Sequence, residues 1–313
     1  MQKLFTLQNE HLQATFSVQG AELQSLTDRN TGQEYCWQGD PAYWKGRAPI
    51  LFPIVGGMWN GVCRINGKTY AIPKHGFVRK REWTRIPETR NVPAGNSITF
   101  AIENTAEELA IFPWPYHLEV TYSLTGRTLR ADLRVHNPSS ASTLYFQMGG
   151  HPSLLLPDWK AEGQDVQGYL RFEGRPIDLL RASLQGCTEP KRVPIPWSND
   201  IETSNALARH QPVNALVPIS VTTFANEALI FDRNQLSAIE VLDLRKQRIA
   251  RFASSAPVWL VWSPQGQHAP FLCVEPWYGL CDPQEFTGNI EERPYIQHTA
   301  PGDTWAGWYT MEV

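Results

Sequence analysis

The chain has no apolar stretch approaching the ~18 residues that a membrane-crossing helix needs, and nothing in it reads as a membrane segment. Residues 1–10 also lack the apolar core of a secretory signal, so the expected location is cytoplasmic. Positive charge is not in excess: 28 Lys and Arg stand against 31 Asp and Glu, a net charge of -3, which argues against a nucleic-acid partner. Cysteine is scarce. Cys36, Cys63, Cys187, Cys273 and Cys281 are odd in number, scattered, and without a CxxC spacing, which fits reduced, mostly buried thiols better than a disulfide frame or a zinc site.

Helical periodicity is also sparse, whereas short alternating runs are frequent. Residues 97–102, 116–124 and 128–135 alternate apolar and polar side chains, and the turn around Gly126 between the last two predicts a hairpin. Further strands are expected at 142–148, 228–231, 238–244, 249–253 and 258–262. With 24 prolines and 22 glycines punctuating these runs, the pattern predicts an all-β fold with few helices, antiparallel sheets packed face to face. The 313 residues are read as one domain, 1–313, in which residues 157–217, rich in Pro, Gly and polar groups, form irregular excursions. There is no internal repeat.

Four segments carry candidate chemistry. In Arg47-Ala48-Pro49-Ile50-Leu51-Phe52-Pro53 a lone arginine opens an apolar run; it reads either as a solvated strand end or as a hydrogen-bonding fork for hydroxyls or an anion. In Lys74-His75-Gly76-Phe77-Val78-Arg79-Lys80-Arg81, His75 sits beside a glycine that permits close backbone approach, and Arg79 is near enough in sequence to share a site with it. A structural histidine followed by a solvated basic face is the other reading of that segment. In Gly149-Gly150-His151-Pro152 two glycines allow a sharp turn towards a ligand and the proline fixes the exit, so His151 is expected at a defined place on a sheet rim.

The last segment, Val274-Glu275-Pro276-Trp277, places one carboxylate in an apolar strand. Such a group needs a partner or a use: a salt bridge to a core arginine, or proton transfer at a pKa raised by burial. Histidine and a buried carboxyl together read as acid plus base. Trp37, Trp44, Trp262 and Trp277 are candidate platforms for a sugar face, or core.

In this order, Gly46-Arg47-Ala48-Pro49-Ile50-Leu51-Phe52-Pro53, His75-Gly76-Phe77-Val78-Arg79, Gly150-His151-Pro152 and Glu275-Pro276-Trp277 resemble the aldose 1-epimerase (galactose mutarotase-like) family, over most of the chain. The resemblance implies a large antiparallel β-sandwich with a sugar cleft across one sheet. It also implies anomer exchange without cofactor or metal: Glu275 as the base for the C1 hydroxyl, His151 as the acid for the ring oxygen, and His75 and Arg47 orienting hydroxyls. Relatives often carry an aspartate before the late strand where this chain has Asn226-Glu227-Ala228; Glu227 is the candidate replacement or an exposed strand-start carboxylate, with Asp232 behind it.

Three rivals follow. A hexose-phosphate epimerase would use Arg47 and Arg79 to clamp a phosphate, a sugar-binding protein would keep the cleft without turnover, and a metal site would use His75, His151 and Glu275. Turnover of free against phosphorylated hexose separates the first rival from the neutral-sugar reading.

Overall fold

A computed structural model describes residues 3–87, 96–160, 162, 164–183, 186–195 and 216–313. Two antiparallel sheets dominate it. The larger has nine strands, in spatial order Leu216–Pro218, Tyr169–Gly174, Leu236–Leu242, Arg248–Ser254, Thr304–Glu312, Thr128–His136, His117–Thr125, Ser97–Glu103 and Thr84–Ile86. The second, the cavity sheet, runs Thr188–Val193, Leu179–Ala182, Leu229–Phe231, Val258–Trp262, Phe271–Tyr278, Met148–Gly150 and Ile50–Leu51, with Ser153–Leu155 also paired to Phe271–Tyr278. A three-stranded sheet, Leu4–Gln8, Leu12–Ser17 and Leu23–Asp28, packs on the larger one through the stacked pair Phe16 and Tyr122, 4.4 Å apart. Among the described residues the single α-helix is Ala106–Leu109, closed by a capping box from Thr105 and Glu108.

Alternation explains how the sheets are layered. In Thr128–His136, Leu129, Ala131, Leu133 and Val135 are buried while the intervening residues stay half-exposed, as a strand with one wet face requires. The hairpin turn is as expected: Thr125 pairs with Thr128, and Gly126 at the first loop position has φ of +54°. The cavity sheet differs, because both its faces are covered. Every residue of Phe271–Tyr278 is buried; Leu272, Val274 and Tyr278 enter the main core between the sheets, while Phe271, Cys273 and Trp277 join smaller clusters on the outer face. That double burial is why Val258–Trp262 and Phe271–Tyr278 read as continuous apolar runs.

Two expectations need correction. Residues 142–148 are not one strand: Leu144–Phe146 pairs with Gln297–Thr299, and the chain crosses at Gln147 to begin Met148–Gly150 in the cavity sheet. Gln147 is fully buried, and its amide serves the crossing by donating to the carbonyls of Leu280 and Pro294 and accepting from Val55 N–H. Nor is 157–217 an excursion throughout, since Tyr169–Gly174 lies inside the larger sheet and Leu179–Ala182 inside the cavity sheet. Short strands between prolines and glycines resemble loops in composition, and their pairing comes from distant partners such as Leu236–Leu242 and Leu229–Phe231. Residues 196–215 of that stretch lie outside the described residues.

All five cysteines are free and buried, as expected. Among the described residues no helix is long and apolar enough to cross a membrane. One buried ion pair ties the loop after Phe271–Tyr278 to its surroundings: Arg293 Nε donates to Asp282 Oδ1 at 2.6 Å, and Asp282 Oδ2 accepts from Trp59 N–H. Arg293→Met leaves Asp282 without its counter-charge and is expected to cost about 3–5 kcal/mol, read as a lower midpoint at unchanged slope in denaturant unfolding.

Candidate active site

Strand register creates the site. Gly149 pairs with Trp277 and Ser153 with Cys273 on the same strand, so the intervening His151 falls opposite Glu275. The segment between is held on both flanks, by His151 N–H to the Pro49 carbonyl at 3.1 Å and by Val274 N–H to the Pro152 carbonyl at 3.0 Å. The outcome is a His151 Nε2 to Glu275 Oε2 distance of 3.2 Å, with exposures of 7% and 2%. Gly149 and Gly150 act differently from the turn expected of them. They are strand residues whose missing side chains make room for neighbours: a Cβ would stand 2.8 Å from the Trp277 ring and 2.6 Å from the Tyr309 ring, respectively.

Above this pair lies a cavity of about 290 Å³, near the lower end of small-ligand sites (~300–1,000 Å³). Trp44 stacks on the His151 ring at 4.9 Å, and Trp262 and His75 meet it edge-on at 6.0 and 5.6 Å. Trp277 also lines the cavity; Trp37 does not, standing behind it against Phe271 and donating to the Trp44 carbonyl. Three of the four candidate tryptophans therefore wall the cavity and the fourth supports one of them.

His75 is brought in by a strained loop. Its φ is +64°, and the adjoining Gly76, at +69°, lies so close to the Phe52 carbonyl that a Cβ would sit 1.9 Å from that oxygen. His75 Nδ1 accepts from Gly56 N–H at 3.1 Å, which leaves the proton of the neutral ring on Nε2. Arg79, on the same loop, lines the cavity with its Nε buried and unpartnered. The remainder of the expected basic face divides: Arg81 pairs with Glu108 at 2.6 Å, and Lys80 is exposed.

Arg47 is placed elsewhere. Its guanidinium donates to the Gln24 side chain and the Gln38 carbonyl, and it is not part of the cavity wall. Its backbone carbonyl does serve the site, by accepting from Ser153 N–H at 3.0 Å and so holding the end of the His151 segment. Glu227 lines the cavity from a left-handed turn (φ +67°) and, among the described residues, its carboxylate has no hydrogen-bond or ion-pair partner. Asp232 is committed to Arg192 at 2.8 Å and Tyr295 at 3.0 Å, away from the cavity. Among the described residues no arginine pairs with Glu275, and the buried Arg293 is taken by Asp282.

Lys74 is the cavity residue that sequence reasoning passed over, although it adjoins His75 in a quoted motif. Cys187 and Cys281 complete that wall. A metal-ligand set also differs from the expected one: the donor atoms of His151, Cys273 and Glu275 lie within 4.8 Å of one another, with Cys273 in place of His75. Burial pushes the Cys273 thiol well up, which favours S–H over the thiolate a metal would bind.

Burial governs the charge state of the pair. It pushes Glu275 well above the ordinary carboxylate value, against a smaller pull from Lys74 and the Trp277 indole N–H. It also lowers His151 to about 3, with Arg79 and Lys74 adding to the effect, and takes His75 well down with help from His151, Lys74 and Arg79. Both rings are thus neutral at pH 7, and burial favours the protonated form of the Glu275 carboxyl. An NMR titration is expected to show the His151 ring neutral at pH 5 and titrating only towards pH 3. Because the unfolded chain binds that proton at about 6.5, the His151 contribution to stability is present above pH 6.5 and is lost as pH falls towards 3. Denaturant midpoints at pH 7 and pH 4 check the sign.

Comparison with known proteins converges on one family. Residues 3–312 match the aldose 1-epimerase family model. Protein LacX (chromosomal) of Lactococcus lactis subsp. lactis is 30% identical, covering 98% of each chain. A galactose mutarotase-like protein from Lactobacillus casei superposes with a TM-score of 0.87 at 26% identity over 99% of both chains. A galactose mutarotase related enzyme from Lactobacillus acidophilus gives 0.83 at 25% identity, over 99% of this chain and 97% of that one. With its β-sandwich and the paired histidine and glutamate at the base of an aromatic cavity, the chain belongs to the aldose 1-epimerase family.

Proposed function

We propose that this protein interconverts the α and β anomers of an aldose by acid-base opening and closure of the sugar ring, acting as a single cytoplasmic domain. The 3.2 Å separation of His151 Nε2 and Glu275 Oε2 carries the reading. Anomer exchange moves protons at two oxygens bonded to the same carbon, so the acid and base that serve them must be immediate neighbours on one wall. A carboxyl and an imidazole held side by side under aromatic cover meet that demand.

In the forward step Glu275 takes the proton of the C1 hydroxyl, the C1–O1 bond becomes a carbonyl, the bond from C1 to the ring oxygen breaks, and His151 supplies a proton to that oxygen. Rotation about the C1–C2 bond and reversal of the transfers give the other anomer and return both protons. Burial opposes the ionised Glu275 that this step needs. A ligand's hydroxyls in the cavity offset the desolvation that disfavours the charged forms of both groups. Trp44, Trp262 and Trp277 offer apolar faces to the ring, while His75 Nε2–H and the unpartnered Glu227 carboxylate supply a donor and an acceptor for hydroxyls.

Glu275→Gln and His151→Asn are each expected to slow anomer exchange at least about a hundredfold with the fold retained. Exchange NMR or polarimetry across a panel of aldoses measures it, and normal rates in both variants would sink the mechanism. Because the base must be ionised, the wild-type rate is expected to fall on the acid side at a pH above the ordinary carboxylate value, following the raised pKa of Glu275.

A further inference from the structure

The buried pair of Arg293 and Asp282 adjoins the cavity wall at Cys281 without lining the cavity itself. The two side chains are 1% and 2% exposed, and Arg293 Nη1 is a buried donor with no acceptor among the described residues. Buried ion pairs are often no more stabilising than apolar groups of the same volume, so what the pair holds in place matters more than its own strength. It holds residues 57–59. Asp282 Oδ2 accepts from Trp59 N–H at 3.0 Å, Asp282 N–H donates to the Gly57 carbonyl at 3.1 Å, and Arg293 Nη2 reaches the same carbonyl at 3.4 Å.

The glycines between the pair and the cavity have little freedom. Gly57 N–H donates to the Gly186 carbonyl at 2.9 Å. Gly56 lines the cavity with φ of +64°, and a Cβ on it would stand 2.4 Å from the Cys281 Cβ, so the chain passes directly against the residue that precedes Asp282. His75 hangs from Gly56 by two bonds: His75 N–H donates to the Gly56 carbonyl at 2.9 Å, and Gly56 N–H donates to His75 Nδ1 at 3.1 Å. The second is the one hydrogen bond of the His75 ring among the described residues, and it alone selects the tautomer with the proton on Nε2.

We infer that Asp282 and Arg293 are positioning residues for His75. By clamping residues 57–59 they keep Gly56 N–H on Nδ1, which leaves Nε2–H as the donor that His75 offers to a sugar hydroxyl. The inference rests on the anomer-exchange reading for the role of that donor, while the tautomer follows from the hydrogen bonds alone. His151 is held independently, by the Pro49 carbonyl and by the pairing of Gly149 and Ser153, so loss of the clamp is expected to leave it unmoved.

NMR of the imidazole nitrogens in the full chain tests the clamp, with His75 assigned by the loss of its signals in His75→Gln. In the wild-type protein His75 is expected as one tautomer with Nε2 protonated; a proton on Nδ1 overturns the inference without any variant. Asp282→Leu/Arg293→Met removes the clamp and leaves no charge unpaired, and Asp282→Asn is the second variant if the first does not fold. The clamp variant should show His75 as a mixture of both tautomers while His151 keeps its wild-type signals. His75 unchanged, or His75 and His151 altered together, overturns the positioning role. Anomer exchange gives a second readout: kcat/KM is expected to fall about tenfold, the scale of one hydrogen bond, through KM. On a His75→Gln background the same substitutions should cost nothing further, and an additive loss overturns action through His75. If the wild-type protein exchanges no sugar, the mutarotase reading fails and the ring tautomers still decide the clamp.

Discussion

The alignment of the Met148–Leu155 segment against the strand Phe271–Tyr278 is the constraint on which the site depends. Two pairings, Gly149 with Trp277 and Ser153 with Cys273, bracket His151 and deliver it to Glu275. A slip of one residue would send every side chain of the segment to the opposite face. The surrounding structure works against such a slip: Trp277 fits where Gly149 has no side chain, Tyr309 fits at Gly150, and the backbone of residues 47 and 49 holds the segment from its other edge. Gly149 and Gly150, which read as a sharp turn in the sequence, are packing positions in the fold.

Register brings the groups together, and burial gives them their chemistry. A strand covered on both faces removes most of the solvent around Glu275, so its carboxyl stays protonated to higher pH, while the same burial keeps His151 and His75 neutral. Lys74 is the counterweight: it opposes the desolvation of Glu275 and adds to that of both histidines. The loop carrying it is kept in place by left-handed backbone at His75 and Gly76, a conformation tolerated because Gly76 has no Cβ to strike the Phe52 carbonyl.

Much of this was legible beforehand. The all-β class, the hairpin at Gly126, the free cysteines and the strand Val258–Trp262 follow from local alternation and turn residues, which act over a few positions. The segment 157–217 reads as irregular in sequence because its described strands are short and punctuated by Pro and Gly, and only pairing with distant strands makes them regular. In the site, His151, Glu275, His75, Arg79, Glu227 and Trp277 do share one cavity. Arg47 does not, because side-chain and backbone acceptors at Gln24 and Gln38 lie closer to its guanidinium than the cavity does.

The sequence by itself determined which reactive groups exist and which of them sit in apolar strands beside proline and glycine, because residue type and local periodicity are properties of neighbouring positions. Only the tertiary structure decided that His151 and Glu275 face each other at 3.2 Å, that Arg47 supports the site from outside and that Lys74 enters it. Those facts follow from pairing between segments far apart in the chain and from burial beneath the tryptophans that wall the cavity, and neither is encoded within any one motif.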